Sequence, residues 1–289
     1  MNDERIEVSV IVPSYNSAAT IDRCLEALLA QRTTVRHEII VADSSDDDTP
    51  ARVAAYAPRV RLVRSATRLP PGPARNLGVA ASSGALLAFT DADCAAAPDW
   101  LESLCRAHAT HDAVGGRIEN GTPASLTGTA LFLAEFAEFA GGPGRRVASM
   151  PSCNISYQRA LFERHGGFPD VAWGEEYIFN HRLPQGVWFE PSVRVQHLNR
   201  SGTGVTMRHA RKVGRGAALS RRLTGQVPYL FRWRVLIPLL FGFRLAKTAV
   251  SALRAGLGLA FLTTLPLLVA ALAAWTIGFL EGARDDAEP

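Results

Sequence analysis

The sequence predicts an α/β fold built on a doubly wound, mostly parallel sheet, followed by amphipathic and transmembrane helices at the C-terminus. Three observations carry this. Short β-branched runs alternate with helix-period segments through the N-terminal part, an order that calls for parallel strands with crossover helices. Polar residues follow several of those strands directly, at the edge where open α/β sheets bind ligands. Finally, the 26 residues from Ala255 to Leu280 are uncharged and mostly apolar, longer than the ~20 that a bilayer core requires.

Taken in order, EVSVIVPSYN reads as a buried strand ending in turn residues. In SAATIDRCLEALLAQ, residues Ile21, Cys24, Leu25, Leu28 and Leu29 recur at helical spacing, with Ser17 or Thr20 as the N-cap. HEIIVADSSDDDT is a second strand running into an acidic loop, Thr49 to Tyr56 is helical, and RVRLVRS is a third strand. PPGPARNLGVAAS gives a Pro/Gly turn feeding a helix. GALLAFTDADC is the fourth strand, and PDWLESLCRAHA is a helix with proline near its start. Beyond Gly115 the pattern loosens. VGGRIEN reads as a strand, SLTGTALFLAEFAEFA as an amphipathic helix, and CNISYQRALFERHGGF as strand, turn and helix closed by a glycine C-cap. GEEYIFNHRL opens another helix, and GVWFEPSVRVQHLN carries further strand signals.

The charge is distributed unevenly. No Asp or Glu occurs between Glu190 and Glu281, while Arg and Lys recur from Arg194 to Arg254. This points to an anionic membrane surface as partner; no nucleic-acid motif accompanies the charge, so nucleic acid is not expected. RHARKVGRGAALSRRL is basic and helical. In LIPLLFGFRLAKTAVSALR, Arg244, Lys247, Ser251 and Arg254 share one helical face. That pattern fits an interfacial helix with its cations at headgroup level, or a spanning helix whose charges face the protein. The acidic N-terminus MNDERIE and the short first apolar run carry no signal-peptide pattern. Cys24, Cys94, Cys105 and Cys153 lack C-x-x-C spacing and read as reduced, small, buried residues. His108 and His111 lie at i, i+3, and a solvated helix face is expected there rather than zinc.

Asp91 and Asp93, in TDADC, end the fourth strand. Two carboxylates at i and i+2 repel each other unless something lies between them. Hard divalent cations take oxygen ligands of this kind together with phosphate oxygens, whereas an ordinary turn would leave the pair solvated.

VSVIVPSYNSAATIDRCLEALLAQ, EIIVADSSDDDT, GPARNLGVAASSGALLAFTDADCAAAPDWL, CNISYQRALFERHGGFPD and GEEYIFNHRL, in that order, resemble the family 2 glycosyltransferases of the GT-A fold over roughly residues 7 to 200. The resemblance implies that Pro13, Tyr15 and Asp43 surround the nucleotide base and ribose, with Arg75 close to the donor pocket. Asp91 is implied near ribose or metal, and Asp93 as ligand of a Mn²⁺ or Mg²⁺ ion that bridges the donor diphosphate. His197 matches a histidine that completes the metal or diphosphate site. Of the acidic pair, Glu176 matches the catalytic base and Glu175 its neighbour. The acidic loop is one residue shorter than the common form, which leaves open whether Asp43 or a neighbour meets the base. The Q-x-x-R-W motif of processive members is absent, so single addition is expected.

The expected organisation is a catalytic domain over 1–200, a basic amphipathic segment over 201–254, a transmembrane helix over 255–281 and an acidic tail over 282–289. The expected activity is inverting, metal-dependent transfer of a sugar from a nucleotide-diphosphate donor to a lipid-linked or membrane-proximal glycan, on the cytoplasmic side of a membrane. Two alternatives stay open: a haloacid-dehalogenase-type phosphatase with Asp91 as nucleophile, and a catalytically inactive sugar-nucleotide-binding membrane protein.

Overall fold

A computed structural model describes residues 6–285; the start of MNDERIE and the last four residues of the acidic tail lie outside the described residues. The predicted strand and helix alternation is present as β1 (Val8–Ser14), α1 (Ile21–Leu29), β2 (His37–Asp43), α2 (Thr49–Ala54), β3 (Val60–Arg64), α3 (Pro71–Ala80), β4 (Leu86–Thr90), β5 (Cys94–Ala96) and α4 (Trp100–His108). Then follow β6 (Ala113–Asn120), α5 (Leu126–Phe136), β7 (Arg145–Val147), β8 (Asn154–Gln158), α6 (Arg159–Arg164), α7 (Glu175–Asn180) and β9 (Val187–His197). The chain ends in α8 (Thr203–Leu223), α9 (Pro228–Arg232), α10 (Leu239–Arg254) and α11 (Gly258–Gly282).

The sheet runs β3-β2-β1-β4-β8-β6-β9-β5, with β7 on β9. Its first four strands are parallel. β8 then joins β4 antiparallel, and the β6–β8, β5–β9 and β7–β9 pairs are antiparallel too. The parallel half is the part that the alternation of strands and helices predicts. Of the described residues, those within Met1–Glu119 and Pro143–His197 form one compact unit, and those within Asn120–Gly142 and Leu198–Pro289 form another.

In the sheet unit, Val8, Val10, Ile11 and Val12 of β1 and Ile39, Ile40 and Val41 of β2 are buried, as expected of strands covered on both faces. Gly78 lets α3 approach closely: a Cβ there would lie 2.5 Å from Ile11 Cγ2. An aromatic cluster fastens the antiparallel half. Phe89 of β4 packs on Phe168 at 5.2 Å, and Phe162 on Phe179 at 4.9 Å. Tyr157 donates its hydroxyl to Asn180 Oδ1 at 2.6 Å. In the helical unit, α5 is buried around most of its circumference, whereas an amphipathic helix was expected. The cluster Ala210, Ala218, Ala271, Trp275 and Phe279 knits α8 to α11.

The expectation for His108 changes as well. His108 does not face solvent: it is buried, accepts or donates a 2.8 Å hydrogen bond with Ser156 Oγ, and burial pushes it down to about 4. It belongs to the face of α4 that includes Trp100, Leu101 and Leu104. His111 lies beyond the end of α4 and stacks on Trp188 at 4.3 Å. Part of the polar face of α10 meets the rest of the helical unit. Arg244 Nη2 donates to Ala134 O at 2.9 Å, and Lys247 Nζ meets Glu138 Oε2 at 2.5 Å. Of the charges on that helix, Arg244 thus faces the protein, whereas Lys247 and Arg254 are exposed. All four cysteines are free thiols; Cys24, Cys94 and Cys153 are buried and Cys105 is half-buried.

Fully buried Asn154 serves three elements at once. It accepts from Trp100 Nε1 at 2.9 Å and donates to Arg117 O at 2.9 Å and Val193 O at 3.1 Å. Asn154→Ala leaves a buried indole N–H and two carbonyls unpartnered, so a loss of about 3 kcal/mol is expected. Urea unfolding followed by tryptophan fluorescence measures it; an unchanged midpoint would remove Asn154 from this role.

Candidate functional site

Parallel register brings the ends of β1, β2 and β4 to one edge: Ser14 is opposite Asp43, and Ile11 opposite Phe89. Pro13, Tyr15, Asp43 and Asp91 therefore gather there. Pro13 is half-buried, and the Arg68 guanidinium lies 4.3 Å over the Tyr15 ring. Asp43 is buried. Its carboxylate accepts from Ser45 Oγ at 2.6 Å and Ser45 N at 3.1 Å, and Arg64 Nε lies 3.5 Å away. It thus shapes the acidic loop from within, while Asp46, Asp47 and Asp48 are the exposed carboxylates. The loop is stitched to the end of β1: Asn16 N–H donates to Ser45 Oγ at 2.8 Å, and Asp46 N–H to Asn16 Oδ1 at 3.1 Å.

The ARNLG segment of α3 links two regions. Arg75 is buried, and its Nη2 donates to Asp91 Oδ1 and its Nη1 to Glu175 Oε1, each at 2.5 Å. Burial works against the guanidinium charge, but Asp91 and Glu175 more than offset it and raise Arg75 above its usual range. The next residue completes the clamp. Asn76 Nδ2 donates to Phe168 O at 2.8 Å, and Asn76 Oδ1 accepts from Phe168 N at 3.2 Å. Asn76 escaped sequence reading because its partners are distant in the chain.

A second group forms where β5 meets β9. The pairing sets Cys94 opposite His197, and Asp93 precedes Cys94. Asp93 Oδ1 and His197 Nε2 stand 3.6 Å apart. One ligand atom each from Asp93, Cys94 and His197 lies within 4.8 Å of the others. A carboxylate oxygen and an imidazole nitrogen converging at this separation fit a divalent cation with oxygen and nitrogen ligands. Cys94 completes the cluster in space but not in chemistry. Burial pushes its thiol well above its ordinary value, and a protonated thiol is a poor ligand for a hard ion. Cys94 was read from sequence only as a small buried residue. Asp91, the other proposed ligand, has one oxygen engaged by Arg75.

Glu175 and Glu176 open α7, where carboxylates favour a helix N-terminus. Their environments differ. Glu175 is buried against Arg75. Desolvation first, and then the adjacent Glu175 charge, push Glu176 up to about 8. Two adjacent carboxylates are thereby divided: one anchors Arg75, and the other is poised to exchange a proton near neutral pH.

The model of Glycosyl transferase family 2 matches residues 9–164. Succinoglycan biosynthesis protein ExoO of Rhizobium meliloti (strain 1021) is 35% identical over 173 residues, covering 56% of this chain and 49% of that protein. Glycosyltransferase AglE of Haloferax volcanii is 36% identical over 120 residues, 39% of each chain. This chain thus spans half or less of the length of these curated relatives. Mannosyltransferase PcManGT from Pyrobaculum calidifontis, in complex with GDP-Man and Mn²⁺, superposes with a TM-score of 0.62 at 22% identity, covering 98% of this chain and 88% of that one. TarS 1-349 of S. aureus, in complex with UDP-GlcNAc, gives a TM-score of 0.55 at 19% identity, covering 96% and 90%. At these identities the structural likeness shows the fold, which is GT-A.

The division of labour between the two glutamates can be read by carboxyl ¹³C NMR. One glutamate is expected to titrate near pH 8; Glu176→Gln removes that titration, and Glu175→Gln moves it to lower pH by removing a like charge. If every carboxyl titrates below pH 6, Glu176 does not have this character.

Proposed function

Because the chain belongs to Glycosyl transferase family 2, we propose that it is an inverting, metal-dependent glycosyltransferase. It moves a sugar from a nucleotide-diphosphate donor to a hydroxyl of a lipid-linked or membrane-proximal glycan in a single addition. The observation that carries this reading is the Arg75 bridge from Asp91 to Glu175, which fixes the DAD segment against the glutamate pair. Family membership leaves the phosphatase alternative without support. Tying an Asp91 oxygen to a buried guanidinium also suits a positioning group better than a nucleophile.

Asp93 and His197 would hold a Mn²⁺ or Mg²⁺ ion, which supplies Lewis acidity to the leaving diphosphate. The mixed oxygen and nitrogen donors favour Mn²⁺. Asp91, aligned by Arg75, faces the ribose or the ion. Pro13, Tyr15 and the acidic loop border the nucleotide. Glu176 accepts the proton of the acceptor hydroxyl as its oxygen attacks the anomeric carbon. The bond from that carbon to the diphosphate oxygen breaks on the opposite face, releasing a nucleoside diphosphate and inverting the configuration. Glu175 keeps Arg75 in place and, by its charge, keeps Glu176 basic.

The structural neighbours bound to GDP-Man and UDP-GlcNAc support a nucleotide-diphosphate donor as a class. The relative named for succinoglycan biosynthesis supports a glycan acceptor. The basic stretch and two apolar helices favour work at the cytoplasmic face of a membrane.

Full-length protein incubated with a panel of sugar nucleotides, Mn²⁺ and a lipid extract is expected to transfer sugar, and EDTA to stop it. Asp93→Ala and Glu176→Gln should each lower the rate at least 100-fold. For the native chain kcat/KM should rise with pH through about 8, since the base acts only when deprotonated. Full activity in EDTA, or in Glu176→Gln, would sink the proposed chemistry, and retention of anomeric configuration by product NMR would sink inversion.

A further inference from the structure

Both C-terminal apolar stretches, Arg234–Arg254 and Gly258–Gly282, are long and apolar enough to cross a membrane. Contacts within the helical unit nevertheless bind both to parts of the chain that do not suit hydrocarbon.

The second half of α11 is locked against α8. A Cβ at Gly214 would collide with Trp275 O, and one at Gly278 with Arg211 O. Arg211 Nε donates to Glu281 Oε2 at 2.8 Å, Arg215 Nε to Asp285 Oδ2 at 2.7 Å, and Arg222 Nη2 to Ala283 O at 2.8 Å. α8 exposes Arg208, Arg211, Lys212 and Arg215 along this run. Ahead of Trp275, the stretch of α11 from Gly258 extends only about 25 Å at ~1.5 Å per residue, short of the ~30 Å hydrocarbon core.

α10 is held in the same way. Arg244 and Lys247 sit at the middle of its apolar stretch and bind Ala134 O and Glu138, so a spanning α10 would carry all these groups to the centre of the bilayer, where charges are costly. The turn between the helices adds a topological limit. Gly141 lies against Ala255, with a Cβ at Gly141 only 3.4 Å from the Ala255 Cα. Gly141 is four residues before Arg145, the first residue of β7, too short a stretch of chain to cross hydrocarbon.

We propose that α10 and α11 form a monotopic hairpin that lies in one face of an anionic bilayer without crossing it. Its ends, its turn and α8 all stay on one side of that bilayer. The surface suits that partner. Leu239, Phe243, Val250 and Leu253 on α10 and Leu259 and Leu262 on α11 are exposed, while α8 supplies cations for phospholipid headgroups. The proposal rests on the membrane location given above.

Two measurements test it on the full-length chain. In flotation with vesicles of POPC and 30% POPG, the protein should float. Arg208→Gln/Lys212→Gln should weaken binding about thirtyfold, from ~1 kcal/mol per cation. Failure to float would overturn the membrane location itself, as would a second copy of the chain covering the apolar face instead. Unchanged binding of the double variant would overturn the headgroup role of α8. Topology is then read in host membranes with an impermeant maleimide, using Arg254→Cys at the turn and Arg284→Cys near the end, each with Cys105→Ala. Both should resist labelling in intact spheroplasts, and Arg284→Cys should label in inverted vesicles. Labelling of Arg254→Cys in spheroplasts would reveal two spans, and of Arg284→Cys one; either overturns the monotopic hairpin while leaving the glycosyltransferase reading intact.

Discussion

Arg75 is the constraint on which the candidate site depends. A guanidinium withdrawn from water costs several kcal/mol unless its charge is matched and its donors are used. Here the match comes from two elements far apart in sequence: Asp91, just beyond β4, and Glu175, at the start of α7. The cost of burying the cation therefore becomes a requirement that the DAD segment and the glutamate pair be held together. Asn76 adds a neutral clamp on Phe168 beside it. Phe168 in turn packs into the aromatic cluster, and its ring lies 5.9 Å from the Arg75 guanidinium.

The same bridge has an electrostatic consequence. One cation stands among Asp91, Glu175 and Glu176, and its donors go to the first two. Glu176 then shares the desolvation and feels the charge of Glu175, without receiving a short bond from Arg75. Its raised proton affinity comes from burial first and the Glu175 charge second, and Arg75, whose short bonds go elsewhere, only partly offsets them. The candidate metal donors are placed by another route. They are brought together by the backbone register of β5 with β9, so Asp93 and His197 converge across roughly a hundred residues of chain without any help from Arg75.

What could be read from sequence divides along physical lines. The parallel strands announce themselves because each is a continuous apolar run between helix-period segments, and a run of residues ending at a ligand edge has a recognisable shape. Asp91, Asp93 and His197 stand out as candidate site residues through dispersed motifs. Arg75 was legible as a site residue, but its bridge was not, since nothing local says which carboxylates a buried arginine meets. Asn76 looks like any turn-forming polar residue until its bidentate hold on Phe168 is seen. The antiparallel half was obscured because β5 and β7 have three residues each, too few for periodicity to show. His108 is a different case. Trp100, Leu101, Leu104, Ala107 and His108 are all buried on one helical face, so the apolar stripe itself marked it as interior, and reading the i, i+3 histidine pair in isolation hid that.

The helical unit shows why hydropathy and helix length cannot decide topology by themselves. Both quantities sum over the whole circumference of a helix, whereas crossing a bilayer depends on what occupies each face along its length. α10 turns Arg244 inward and Leu239, Phe243, Val250 and Leu253 outward, while Lys247 and Arg254 are exposed. α11 has one face of small residues, and those glycines admit a basic helix so close that the two cannot part company across a membrane. An apolar sequence and a spanning structure are then separate properties. The first is set by composition, and the second by whether neighbouring segments could follow the helix into hydrocarbon without stranding their charges. For α8, with four exposed cations on one run, two of them paired to Glu281 and Asp285, following α11 into hydrocarbon would be costly.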